Sequence, residues 1–353
     1  MHPTLQSRAY AKLIDESAQN DDLKKLDGKT VLVAGAAGGI GSFLIDALMR
    51  GNASNNNHIR VIAVGRNIKN LETRFSQYPD VTMHAADISS AISLDSRCDF
   101  IVNAASNTHP VQYASYPIET IMTNITGTRN LLELALRCEG SRFILLSSVE
   151  IYGQNKGDTD KFSEDYSGYI DCNTLRAGYP ESKRAAEALC QAYISEKNAD
   201  AVTLRLSRAY GPTMAPDDSK AIAQMIRNAV NGEDVVLKSD GTPYYSYAFI
   251  ADAVSALQRV MLYGKTGEVY NAASDESDAP LSDLAAMLAD LAKVRVVHSQ
   301  PEAKEARGFS KATKALLNTE KLKRLGWKSR YSLPEGLALT VEIMKELTVQ
   351  KKG

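Results

Sequence analysis

The chain has 353 residues, 44% hydrophobic and 24% charged, with a formal net charge of −1. That length supports a large core and more than one lobe. The balance of charge argues against a dedicated nucleic-acid surface, which would leave a basic excess. No apolar run has the length of a membrane span or the core of a signal peptide. Cys98, Cys138, Cys172 and Cys190 are scattered without metal-ligand spacing or a disulfide framework. This points to no metal site and to a reducing, cytoplasmic setting.

Residues 1–28 read as an extension. "LQSRAYAKLIDE" has the periodicity of a helix, either a packing helix or a dimer arm, and "LDGKT" leads into the first strong strand. "TVLVAG" then reads as a buried strand and "IGSFLIDALMR" as a helix. "IRVIAVG" and "FIVNAAS" are further strands, with "VTMHAAD" a weaker one between them. The helix "NITGTRNLLELALRC", the strand "RFILLSS", the helix "ESKRAAEALCQAYISEK" and the strand "AVTLRLS" continue the alternation. Continuous apolar strands alternating with helices predict an α/β fold, a doubly wound parallel sheet of Rossmann type covered on both faces. Residues 29–207 are expected to form this dinucleotide-binding domain, with a segment near 243–275 returning to it at "GEVYNAAS". After Arg208 the alternation weakens, and Pro212, Pro216, Pro243 and Pro280 punctuate mixed segments. Residues 208–242 and 276–353 are expected to form a second, smaller mixed α/β lobe that binds substrate.

"VLVAGAAGGIGSFL" carries Gly35, Gly38 and Gly41 in a GxxGxxG pattern between a strand and a helix, with Gly39 and Ile40 inside it. Glycine lets the backbone turn tightly and approach a pyrophosphate, and the helix N-terminus adds free N–H groups. A dinucleotide is the expected ligand. NAD sites commonly carry an acidic residue at the end of the second strand. Here that position is Gly65, followed by Arg66. Arg66 can pair with a 2′-phosphate, stack on adenine or point into solvent, so NAD and NADP both stay open. Asp87, after the third strand, can meet the adenine edge or cap a turn.

Tyr179 and Lys183 lie four residues apart in "GYPESKRAAE", so on a helix they share a face. An ammonium and a positively charged nicotinamide both favour tyrosinate. They should lower the tyrosine pKa and make Tyr179 a usable general base. Ser148, at the end of "RFILLSS", sits where such sheets hold their ligands and can bond a substrate hydroxyl or cap the strand end. Glu150 adds a carboxylate that simple alcohol oxidation does not need, or a solvated surface charge.

The ordered series GxxGxxG, "ADI", "NAAS", "TNITGTRNLLE", "SSVEIYG", "YPESK", "RAYGP", "GEVYNAAS" and "LNTEKLKRLGWKSRYSLPEGL" resembles the extended short-chain dehydrogenase/reductases. Within them it resembles the nucleotide-sugar epimerase, dehydratase and decarboxylase group, from about Lys29 to the C-terminus. The resemblance implies that Tyr179 removes a sugar hydroxyl proton, Lys183 tunes it and holds the nicotinamide ribose, and Ser148 assists. Hydride passes from C4 to NAD or NADP, giving a 4-keto sugar. It assigns Gly35, Gly38, Gly39, Ile40, Gly41, Arg66, Asp87, Ile88, Ala104, Ala105, Asn124, Tyr179 and Lys183 to the cofactor. It assigns Ser106, Ser148, Arg208, Lys220, Arg227 and Tyr245 to the nucleotide-diphosphate sugar. It also implies a homodimer, with helices near 115–140 and 181–197 packed across a two-fold axis.

Glu150 then implies removal of the C5 proton, acidified by the C4 ketone. A glutamate before "YG" is typical of the 4,6-dehydratases and glucuronate decarboxylases. Val149 stands where dTDP-glucose-type dehydratases carry an acid, which counts against that type. Tyr245 stands where the family usually has an arginine for the diphosphate or sugar carboxylate, and Arg208 where many relatives have asparagine. A basic residue there suggests an anionic partner group. Two other readings use the same fold. One is an NAD(P)H-dependent ketone or aldehyde reductase, which would not need Glu150. The other is a non-catalytic dinucleotide-binding regulator, against which Ser148, Tyr179 and Lys183 together argue.

Overall fold

A computed structural model describes residues 6–94, 96–301 and 312–349. In chain order the first half holds α1 (Arg8–Ala18), β1 (Thr30–Ala34), α2 (Gly39–Asn55), β2 (Arg60–Gly65), α3 (Ile68–Phe75) and β3 (Val81–Ala85). It continues with β4 (Phe100–Asn103), α4 (Pro110–Ser115), α5 (Pro117–Arg137), β5 (Arg142–Ser148), α6 (Gly178–Lys197) and β6 (Asp200–Leu206). The second half holds β7 (Arg208–Tyr210), α7 (Ala221–Asn231), β8 (Val235–Leu237), β9 (Tyr244–Phe249), α8 (Ile250–Tyr263) and β10 (Val269–Ala272). It ends with β11 (Asp278–Pro280), α9 (Leu281–Ala292), β12 (Val296–His298), β13 (Lys314–Ala315), α10 (Glu320–Lys323) and α11 (Leu333–Val349).

Seven strands form one parallel sheet in the order β3-β2-β1-β4-β5-β6-β10. β1 is buried along its whole length because helices cover both faces, so its sequence has no polar side. β3, at the edge, is buried only at Val81, which explains its weaker apolar signal. The order reverses between β1 and β4, and the loops leaving these neighbours diverge to open a crevice.

The segment 243–275 divides between two sheets. β10 completes the large one, whereas β9 lies in a smaller sheet with β7, β11 and β13. β7 and β9 run parallel, with Arg208 opposite Tyr247. This register sets two site residues side by side.

The extension is a packing helix of its own chain. α1 buries Tyr10, Leu13, Ile14 and Ala18 against α2, α8 and α11. The Tyr10 hydroxyl donates to Asp46 Oδ2 at 2.5 Å, and the Tyr331 hydroxyl donates to Glu16 at 2.8 Å. The apolar face that a dimer arm would need is spent inside the fold. Among the described residues, no helix is long and apolar enough to cross a membrane.

Candidate active site

The glycine loop closes the N-terminal end of α2. Gly35 has φ +79°, and a Cβ there would sit 2.7–2.8 Å from the backbone of Ala104 and Ala105. A Cβ on Gly41 would meet the Gly35 carbonyl at 2.4 Å. Both positions therefore require glycine. Gly38 caps α2 without a side chain, leaving first-turn N–H groups free to face a ligand. Thr213 backs this turn from the second half of the chain, its hydroxyl donating to the Gly39 carbonyl at 3.0 Å. A helix end with bare N–H groups, glycines that a Cβ would obstruct and an adjoining crevice fit a dinucleotide pyrophosphate.

Gly38, Gly39, Ile40, Gly41, Ala104, Ser106, Ser148, Glu150, Tyr179, Lys183, Arg208, Lys220 and Tyr245 line one cleft, with a cavity volume of about 430 Å³. The other sequence-assigned residues lie outside its wall. Gly35 shapes the loop from behind. The side chain of Ile88 packs against Gly127. Asp87 Oδ1 accepts from the Ser89 amide and hydroxyl in a turn. Ala105 N donates to Asn103 Oδ1 at 3.3 Å. Arg66 lies at the β2 end, ion-paired to Glu119 on α5 at 2.6 Å. Arg227 is turned away, donating to the Asp218 carbonyl at 2.8 Å. Asn124 is buried and acts as a strut. It accepts from the Ser106 hydroxyl and donates to Ser182, whose hydroxyl donates to the Tyr179 carbonyl.

Ser148 ends β5 and does two things there. Its Oγ accepts from the Glu150 amide at 3.2 Å, capping a short turn, and its hydroxyl lies near enough to the Tyr179 phenol to help lower its pKa. Tyr179 and Lys183 sit one turn apart on α6, both buried. The electrostatics differ from the sequence expectation. Burial pushes the Tyr179 phenol up to about 12, and Ser148 only partly opposes it. Lys183 is itself pushed down to about 8 by burial and donates its Nζ proton to the Leu146 carbonyl at 2.8 Å. Loss of water is the largest cause of both shifts in the protein alone. A cation bound against the phenol would have to supply the opposing shift.

Glu150 is neither a solvated charge nor a free base. Arg176 Nη2 donates to its Oε2 at 2.7 Å and Arg208 Nη2 to its Oε1 at 3.3 Å. Burial alone would raise this carboxyl, but the two guanidinium groups hold it below the usual glutamate value. A carboxylate stabilised in this way is a weaker base than an unpaired glutamate. Arg208 also lies flat on the Tyr245 ring, 3.3 Å from its centre. Tyr245 is thus a platform for an arginine from the neighbouring strand. Lys220 is ion-paired with Asp218 at 2.9 Å.

Four cleft residues went unread in the sequence. Tyr113 stacks on Tyr179, and Arg176 holds Glu150. Tyr247 and His109 each present a buried polar atom with no hydrogen-bond partner among the described residues. Two of them left a signal. Arg176 precedes Tyr179 by three residues, one helical turn. Tyr247 follows Tyr245 by two, which puts both on one strand face.

A parallel sheet with a glycine loop at its switch point and a Ser–Tyr–Lys cluster at the next strand ends defines a dinucleotide-dependent oxidoreductase fold of the extended short-chain type. The family model described as "NAD dependent epimerase/dehydratase family" matches residues 31–273, and the chain belongs to that family. UDP-glucuronic acid decarboxylase 6 of Arabidopsis thaliana is 30% identical over 333 residues, covering 91% of each chain. Among solved structures, DesIV, a dTDP-glucose 4,6-dehydratase of Streptomyces venezuelae with NAD and TYD bound, superposes with a TM-score of 0.78. It is 24% identical, over 91% of this chain and 98% of that one. UDP-glucuronic acid 4-epimerase of Bacillus cereus, in complex with UDP-glucuronic acid and NAD, gives a TM-score of 0.74 at 21% identity, over 90% of this chain and 99% of that one.

Proposed function

We propose that this chain oxidises a ring hydroxyl of a nucleotide-diphosphate sugar, with NAD(P) held at the glycine loop, and then transforms the resulting 4-keto sugar. The observation that carries this reading is the meeting of Ser148, Tyr179 and Lys183 in the cleft that also contains Gly38–Gly41. Tyr179 accepts the hydroxyl proton, Ser148 bonds the same oxygen, and Lys183 stands one turn below to bind the nicotinamide ribose. NAD(P) held there would supply the acceptor for the C4 hydride and the donor for its return.

Decarboxylation is the fate best supported. The curated relative acts on UDP-glucuronic acid by its name. A uronate oxidised at C4 is a β-keto acid. The C5–carboxyl bond breaks, carbon dioxide leaves, and the electron pair remains as the C4–C5 enolate, which takes a proton at C5. This route needs no base at C5, in keeping with a Glu150 engaged by two arginines. Val149 offers no acid for a departing C6 hydroxyl.

The reading includes a homodimer and a reducing, cytoplasmic setting. Tyr116, Ile118 and Met122 are exposed around the start of α5, on the helix expected at the two-fold axis. The four cysteines are free.

The experiment is mass spectrometry of small molecules released from the purified protein, followed by NMR of reactions with NAD and UDP-glucuronate. Co-purified dinucleotide, carbon dioxide release and a UDP-pentose product are expected, and Tyr179→Phe should be silent. Absence of dinucleotide, together with no thermal shift on adding NAD or NADP, would overturn the reading.

A further inference from the structure

We propose that Arg208 and Tyr247 form a receptor for a carboxylate carried by the sugar, with Glu150 as its built-in counter-ion. The inference rests on the reading of the cleft as a nucleotide-sugar site. Arg208 Nη2 is engaged by Glu150, and the guanidinium face lies on Tyr245, but Nη1 is buried with no hydrogen-bond partner among the described residues. Directly opposite in the parallel register, Tyr247 holds a buried hydroxyl that also lacks a partner. Both residues line the cleft. Two buried groups with protons to donate and no acceptor call for a ligand atom that accepts, and the guanidinium calls for one with negative charge.

The charges point the same way. Two arginines and one glutamate leave the cluster with an excess positive charge among Tyr113, Tyr179 and Tyr245. A single carboxylate makes it neutral. Its place in the site selects the part of the substrate that carries the anion. Glu150 is two residues beyond Ser148, and Arg176 is three residues before Tyr179. The receptor therefore borders the carbon being oxidised and not the nucleotide end of the ligand. A carboxylate on C5, next to C4, meets this requirement.

Binding distinguishes a carboxylate receptor from a diphosphate clamp. Calorimetry on the full chain with NAD, in a Tyr179→Phe background that prevents turnover, compares UDP-glucuronate with UDP-glucose and the matched dTDP pair. The glucuronate member should bind at least about tenfold tighter. Arg208→Ala should remove at least that factor for glucuronate and leave glucose unchanged. Tyr247→Phe should weaken glucuronate alone, and it gives an independent answer if Arg208→Ala fails to fold. Equal affinity for the two sugars, or equal loss of both in Arg208→Ala, overturns the receptor while leaving the C4-oxidation reading in place. If neither pair binds a protein that binds NAD, the nucleotide-sugar reading fails and the receptor with it.

Discussion

Tyr113 lies face to face on Tyr179, with ring centres 5.1 Å apart and planes 14° apart. The two rings come from α4 and α6, so the stack fixes the phenol of one helix against a wall supplied by another. Arg176 stands over the Tyr113 ring, 5.9 Å from its centre. The stack should act by position and not by its hydroxyl. Tyr113→Phe should keep near-normal kcat, whereas Tyr113→Ala should lower it by about 10²-fold, the scale expected when a reacting group drifts by about 1 Å. NAD affinity should change little in either variant. Steady-state kinetics and dinucleotide titration check this, and a Tyr113→Phe variant as slow as Tyr113→Ala would contradict it.

Cofactor preference should follow the Arg66–Glu119 pair. Arg66 follows Gly65 at the end of β2, from where an arginine can meet a 2′-phosphate, but its guanidinium is already matched by the Glu119 carboxylate at 2.6 Å. Asp87 is close enough for Arg66 to help keep its carboxyl low, after the Ser89 bonds. A 2′-phosphate would meet two carboxylates beside one arginine, so NAD should bind more tightly than NADP. Glu119→Gln should free Arg66 and improve NADP affinity by about tenfold, the size of one charge-assisted contact at a partly exposed site. Titration of both dinucleotides by fluorescence or calorimetry decides it. An unchanged NADP affinity would mean that Arg66 does not reach the ribose.

The large sheet was legible because parallel strands covered on both faces leave continuous apolar runs such as "TVLVA" and "RFILLSS". The glycine loop and the Tyr179–Lys183 spacing were legible because each is local to one turn or one helix. The Arg176–Glu150–Arg208 cluster was not, because its contacts span 26 and 58 residues and join three different elements. Spacing identified Lys183 as a neighbour of Tyr179, but it carried no measure of the water both groups lose on burial. In the protein alone that loss raises the Tyr179 phenol, so the lowering expected for catalysis falls to the bound cofactor.

Lys183 gives a pH signature in stability. Burial lowers its folded value to about 8 from an unfolded value of 10.5. Between those two values the unfolded chain holds a proton that the folded chain has released. Stability from this group therefore rises with pH across that window, and below it the folded state bears the full cost of a buried ammonium. Lys183→Met should be more stable than wild type at pH 7, with the Tm difference shrinking as pH approaches 10. Thermal melts at pH 7, 8.5 and 9.5 test the trend. A Tm difference independent of pH would show that Lys183 is not charged and buried in the folded protein.

The N-terminal helix should be needed for folding because it closes over a buried charge. Asp46, on α2, is fully buried and accepts hydrogen bonds from Tyr10, Tyr78 and Arg74. Burial raises the Tyr10 phenol well above its usual value, so Tyr10 stays a donor to this carboxylate throughout the physiological range. Arg74→Met would leave Asp46 charged without its cation and should cost about 3–5 kcal/mol. Asp46→Asn should also destabilise by removing the carboxylate charge that faces Arg74. The double variant Asp46→Asn with Arg74→Met should cost less than the sum, since neither partner then keeps an unmatched charge. Deleting residues 1–18 removes Tyr10 and bares the surface under Leu13 and Ile14, so it should abolish soluble folded protein. Chemical denaturation of the three point variants measures the coupling, and strict additivity would mean that the pair is screened by solvent rather than sealed by the helix.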